Sequence, residues 1–113
     1  MKGFLTTHVL DTARGQPAAG LRIALFRITT NGNSPVREMI TNSDGRTGSP
    51  ILTEEEFELG EYELIFHAGE YFKDQGIAGF YDEIPIRFKL METSHYHVPL
   101  LLSPFGYSTY RGS

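Results

Sequence analysis

The sequence contains no cysteine, which excludes disulfide staples, thiolate catalysis and Cys-type zinc sites. It has no tryptophan and no run of Lys or Arg. Its formal net charge is -4, so no basic stripe is available to follow a nucleic-acid backbone. No apolar run approaches the ~20 residues of a membrane-spanning helix. Met1 to Thr7 lead straight into strand-like sequence without the apolar stretch of a secretory leader. A cytoplasmic location is expected, and a periplasmic one only if a leader has been removed.

What is present points to one domain spanning 1–113 with a single core. Apolar residues make up 40% of the chain, too many for a disordered one. Twelve Gly and six Pro separate short apolar runs, which favours an all-β chain.

Residues 4–11 read as a strand with Leu5, Thr7 and Val9 on one face and Phe4, Thr6, His8 and Leu10 on the other. A loop follows over 11–20. Residues 21–30 form a second strand in which Arg22 and Arg27 fall on opposite faces, as a bulge or two half-buried faces would produce. A turn over Asn31 to Pro35 leads to a partner strand over 36–42. Ser43-Asp44-Gly45 suits a turn with positive φ, and Arg46 follows it directly. Glu54, Glu55 and Glu56 read as a solvated loop rather than a cation site. Residues 61–68 alternate, with Tyr62, Leu64, Phe66 and Ala68 inward and Glu61, Glu63 and His67 outward. Ala68, Tyr71 and Phe72 then take helical spacing, with Gly76 as a stop, predicting a single short helix. Residues 83–91 alternate again, and Pro85 marks a strand start or an edge. Residues 95–103 place Tyr96, Val98, Leu100 and Leu102 on the core face and His95, His97, Pro99 and Leu101 on the other. A last short strand is expected over 106–111. Seven or eight short strands at this turn spacing define an antiparallel β-sandwich.

Chemistry concentrates at few positions. His95 and His97 share one strand face and His8 lies off the core face of the first strand, so three imidazoles from two strands could hold zinc. The other reading is metal-free acid–base work: histidine exchanges protons near neutral pH, and Arg46 is a permanent cation able to hold an oxyanion. Tyr110 and Arg111 could add an aromatic wall and a donor. His67, between glutamates, reads as a surface residue. From spacing alone, a sandwich module for protein contact explains the chain as plainly. Parity adds one expectation. His8 shares its face with Phe4 and Leu10, and His97 shares its face with Leu101, so a second subunit is expected to cover this outer surface.

Three motifs carry a resemblance over the whole chain: Leu5-Thr6-Thr7-His8-Val9-Leu10-Asp11, Asp44-Gly45-Arg46, and His95-Tyr96-His97-Val98-Pro99-Leu100-Leu101 running to Tyr110-Arg111-Gly112-Ser113. With them the chain resembles the 5-hydroxyisourate hydrolases, the transthyretin-like enzymes of urate breakdown. The terminal tetrapeptide is the most specific mark and separates these enzymes from transthyretin itself. The resemblance implies a transthyretin-like sandwich of two four-stranded sheets with one short helix. It implies a homotetramer, a dimer of dimers, with sites at the subunit interface. It also implies hydrolysis of 5-hydroxyisourate to 2-oxo-4-hydroxy-4-carboxy-5-ureidoimidazoline with no cofactor and no metal. The catalytic residues it implies are His8, Arg46, His97, Tyr110 and Ser113. The substrate would be held by His8, Arg46, Tyr110 and Arg111. The competing expectation is a transthyretin-like carrier, which would need an apolar channel where these residues make a polar one.

Overall fold

Alternating apolar side chains build two sheets whose apolar faces meet. The computed structural model describes residues 2–112. Its elements are β1 (Phe4–Asp11), β2 (Gln16–Pro17), β3 (Arg22–Thr29), β4 (Gly32–Ile40), β5 (Gly60–His67), α1 (Ala68–Asp74), β6 (Glu83–Leu90), β7 (His95–Ser103) and β8 (Gly106–Thr109). One sheet runs in the order β2-β1-β7-β8 and the other β4-β3-β5-β6. Leu5, Val9 and Leu100 from the first sheet meet Ile23, Leu25, Leu64 and Phe66 from the second, all fully buried. Burying each such side chain is worth roughly 1.5–3 kcal/mol.

The expected two four-stranded sheets and single helix are present, and several details differ from the sequence reading. β1 and β7 pair in parallel, while the other strand pairs are antiparallel. A two-residue strand, β2, sits inside the expected 11–20 loop and pairs with the end of β1. β4 begins at Gly32 rather than at residue 36. Pro35 is tolerated because β4 is an edge strand, and the register skips Val36 where Leu25 gives way to Phe26. The extra residue belongs to β4, and β3 runs in unbroken register with β5, so Arg22 and Arg27 do lie on opposite faces of β3, both half-buried. β8 ends at Thr109 rather than at residue 111. Glu63 points outward yet is buried, because Arg87 from neighbouring β6 and Asn33 from β4, reaching past β3, bond its carboxylate. His67 lies at the sheet surface near Arg22 and Glu83.

The helix is fastened at its C-terminal end and through its buried face. Gly76, at φ 70°, closes it: its N–H donates to Lys73 O and that of Ile77 to Phe72 O. Inside, the Tyr71 hydroxyl donates to Asp11 Oδ2 at 2.8 Å, and the Arg14 N–H donates to Oδ1 at 3.2 Å. Asp11 is 1% exposed. Tyr71→Phe would leave one buried carboxylate oxygen without its donor. A stability loss of about 1–3 kcal/mol in denaturant unfolding is expected, with no change in the position of β7.

Candidate active site

The outer face of the β2-β1-β7-β8 sheet carries the site. Parallel pairing sets Phe4 beside His95, Thr6 beside His97 and His8 beside Pro99. Thr6, His8, His95 and His97 therefore share the face turned away from the core, as parity predicted. Thr7, one residue over, faces the other way and donates its hydroxyl to Val98 O at 2.7 Å.

Arg46 arrives on a self-closed turn. Asn42 Oδ1 accepts from the N–H groups of Asp44 (2.9 Å) and Arg46 (3.2 Å), and the Asn42 N–H donates to Arg46 O at 2.8 Å. Gly45 holds φ 74°, and its carbonyl accepts the Val9 N–H at 2.8 Å; a Cβ there would strike the Val9 carbonyl oxygen. Docked on β1 in this way, the turn bridges Arg46 to His8. The His8 ring then donates Nε2–H to Asp44 O at 2.9 Å, since a carbonyl can only accept. His8 Nδ1 is left as the ring's acceptor.

Arg46, His95, His97, Thr6 and the 47–50 loop line an open cleft of about 480 Å³, ample for a purine-sized ring. His97 Nδ1 lies 2.8 Å from Thr6 Oγ1, and the Gly112 N–H donates to the His97 carbonyl at 2.7 Å. Burial, and after it the Arg46 guanidinium, pushes both His8 and His97 below the ordinary histidine value of 6.5. For His97 the neighbouring His95 and His8 push the same way; for His8 the Asp44 carbonyl and carboxylate push back. A fixed cation thus lies beside two imidazoles whose neutral forms it favours. Among the described residues no three His, Asp or Glu side chains are grouped to hold a metal ion, so the zinc reading of the histidines finds no cluster here.

The expected site residues divide into three sets. His8, Arg46 and His97 come together. Tyr110 and Arg111 do not join them within one chain. They line a separate, apolar recess of about 260 Å³ with Ile86, Phe88 and Val98, where the Arg111 guanidinium lies 4.5 Å from the centroid of the Tyr96 ring. Ser113 lies outside the described residues. Sequence reasoning missed Thr6 and the 47–50 loop, and it left His95 without a role. The parity of Thr6 was the signal that could have found it.

Gly112 is tight against the site: an added Cβ would sit 2.7 Å from His97 Cδ2. Gly112→Ala is therefore expected to displace either the His97 ring or the tail. In solution it should shift the His97 ring resonances while the thermal midpoint moves little.

A sandwich of this topology, with a polar His/Arg cleft on an outer sheet face, defines a transthyretin-like domain. The family model described as the HIUase/Transthyretin family matches residues 5–112, and the chain belongs to that family. It is 55% identical to the 5-hydroxyisourate hydrolase of Mesorhizobium japonicum, the match covering 98% of this chain and 93% of that protein. Among solved structures it superposes on 5-hydroxyisourate hydrolase from Klebsiella pneumoniae with a TM-score of 0.86 at 32% identity, covering 98% of this chain and 100% of that one. It also superposes on sea bream transthyretin in complex with thyroxine, with a TM-score of 0.89 at 28% identity, covering 96% and 93% of the two chains.

Proposed function

We propose that this chain hydrolyses 5-hydroxyisourate to 2-oxo-4-hydroxy-4-carboxy-5-ureidoimidazoline. The observation that carries the reading is a cleft lined by Arg46 and His97, with His8 bridged to Arg46 beside it and the neutral form of both imidazoles favoured. The name of the Mesorhizobium relative, more than half identical over nearly the whole chain, points the same way. Opening a ring amide requires an activated water, a stabilised oxyanion and a protonated leaving nitrogen. A neutral His97 takes a proton from water, with His8 beside it as a second base. Arg46 holds the carbonyl oxygen as negative charge develops on it, and the protonated imidazole returns its proton to the leaving nitrogen. The same reading includes a homotetramer with sites between subunits. Tyr110, 58% exposed and away from its own chain's cleft, would then position the ring bound by a neighbouring subunit.

A carrier role is disfavoured by the lining. Thr6, Arg46, His95 and His97 offer a thyroxine-like apolar ligand little to pack against. The deciding experiment follows the ultraviolet decay of 5-hydroxyisourate, generated in place from urate, with and without the protein. Decay well above the spontaneous rate is expected. An unchanged rate with the assembly intact would point to the carrier instead.

A further inference from the structure

Thr6 touches both histidines of β7. Its Oγ1 lies 2.7 Å from His95 Nε2 and 2.8 Å from His97 Nδ1. The His95 ring is itself fixed by stacking on Phe4, with centroids 4.2 Å apart and planes inclined by 11°. Phe4 and Thr6 are the β1 residues paired with His95 and His97, so strand register builds the whole row. The row then leads outward, because Thr6 and His97 are half-buried whereas His95 is exposed.

A hydroxyl carries one proton and can donate it in one direction only, while its lone pairs can accept from the other side. Which nitrogen of a histidine holds the ring proton is set by the bond its other nitrogen makes. His97 can accept a proton from water at Nε2 only if Nδ1 carries the ring proton. We propose that Thr6 and His95 are positioning residues that hold His97 in this form and serve as its proton relay. His97 Nδ1–H donates to Thr6 Oγ1, and the Thr6 hydroxyl donates to His95 Nε2.

The relay conserves every proton. As an O–H bond of water breaks and its proton joins His97 Nε2, the Nδ1 proton passes to Thr6 Oγ1. The proton Thr6 already held moves to His95 Nε2, and the exposed His95 ring releases its Nδ1 proton to solvent. All three groups end neutral with the polarity of the chain reversed. When His97 Nε2–H later protonates the leaving nitrogen, the chain runs back and His95 Nδ1 regains a proton from solvent. The physical advantage is electrostatic. A cationic His97 would face Arg46, His8 and His95, the groups that already disfavour its charge. The relay passes that proton to solvent through a ring at the surface instead.

The relay rests on the hydrolase reading for its turnover role, so its test has a readout that needs no turnover. Nitrogen-15 NMR of the imidazoles in the intact protein is expected to show His97 as the Nδ1–H form and His95 Nε2 as an unprotonated acceptor. Thr6→Val, which keeps shape and removes the hydroxyl, should mix the His97 forms and lower kcat by about 10- to 100-fold with KM nearly unchanged. Thr6→Ser should restore both. His95→Gln can accept the Thr6 hydroxyl but cannot pass its proton on. It should reduce the solvent-isotope dependence of kcat from several protons to one. An Nε2–H form of His97 in the unaltered protein would overturn the relay while leaving the hydrolase reading intact. So would full kcat in Thr6→Val, or a multi-proton isotope dependence that survives in His95→Gln. Absence of hydrolysis would instead overturn the hydrolase reading, with the NMR result still reporting the direction of the hydrogen-bond chain.

Discussion

Replacing His97 by asparagine is expected to lower kcat by about 10²- to 10⁴-fold, the usual range for removing a general base. The fold should survive, because His97 is only half-buried and Val98, the neighbour that fills the core, is untouched. Its carbonyl bond to the Gly112 N–H belongs to the backbone and persists in the variant. The loss should therefore appear in kcat rather than in the unfolding midpoint. A variant that keeps near-wild-type kcat would remove His97 from the role of base and pass it to His8, whose Nδ1 is left as the acceptor of a ring already bound through Nε2. Stopped-flow decay of 5-hydroxyisourate with both single variants and the double variant would separate the two.

Replacing Arg46 by glutamine should produce two effects at once. Losing a cation from an oxyanion site costs about 10²- to 10³-fold in kcat. The second effect lies in the pH profile. Burial and Arg46 together hold the His8 and His97 values below 6.5, so the neutral, proton-accepting forms persist into mildly acidic solution. The acid limb of kcat/KM is then expected below 6.5. Removing Arg46 takes away one of the two depressing causes, so the limb should move up toward 6.5, with burial still holding it short of that value. Arg46→Lys keeps the charge but not the planar fork. It should leave the limb where it was and recover only part of the rate. A limb that stays fixed in Arg46→Gln would mean that the guanidinium does not govern these imidazoles.

Much of this architecture is legible in the sequence because side-chain alternation has a period of two. Parity along residues 4–11 and 95–103 places His8 and His97 off the core. The Asp44-Gly45 pair likewise marks the turn that carries Arg46. Parity says nothing about which strands are neighbours, and so the parallel β1–β7 pairing, which brings Thr6 onto His97, is invisible until the sheet is assembled. Edge effects mislead in the same way. Asn33-Ser34-Pro35 reads as a turn, but an edge strand has no outer partner to need the missing proline N–H, and the strand runs through it. Glu63 obeys its parity and is still buried, because the long arginine of the next strand folds over it. Tyr110 and Arg111 sit on a different flank from the cleft because β8 pairs only as far as Thr109, and the chain then turns across Tyr96.

The parallel pairing of β1 with β7 has a kinetic consequence. Thr6 and His97 are 91 positions apart, and the four strands of the other sheet all come between them in the chain. β4 and then β5 can zip onto β3, and β6 onto β5, as antiparallel neighbours close in the chain, whereas β1 must wait for a strand made long after it. Contacts of such long sequence separation form slowly, since the intervening loop must be closed before they contribute. The second sheet is therefore expected to be ordered while the face that carries the cleft is still open. During that interval β1, with its Leu5 and Val9, is held by the two residues of β2 and by single bridges at Arg46 and Leu52 rather than by a full strand, and it is the strand most exposed to pairing with another chain.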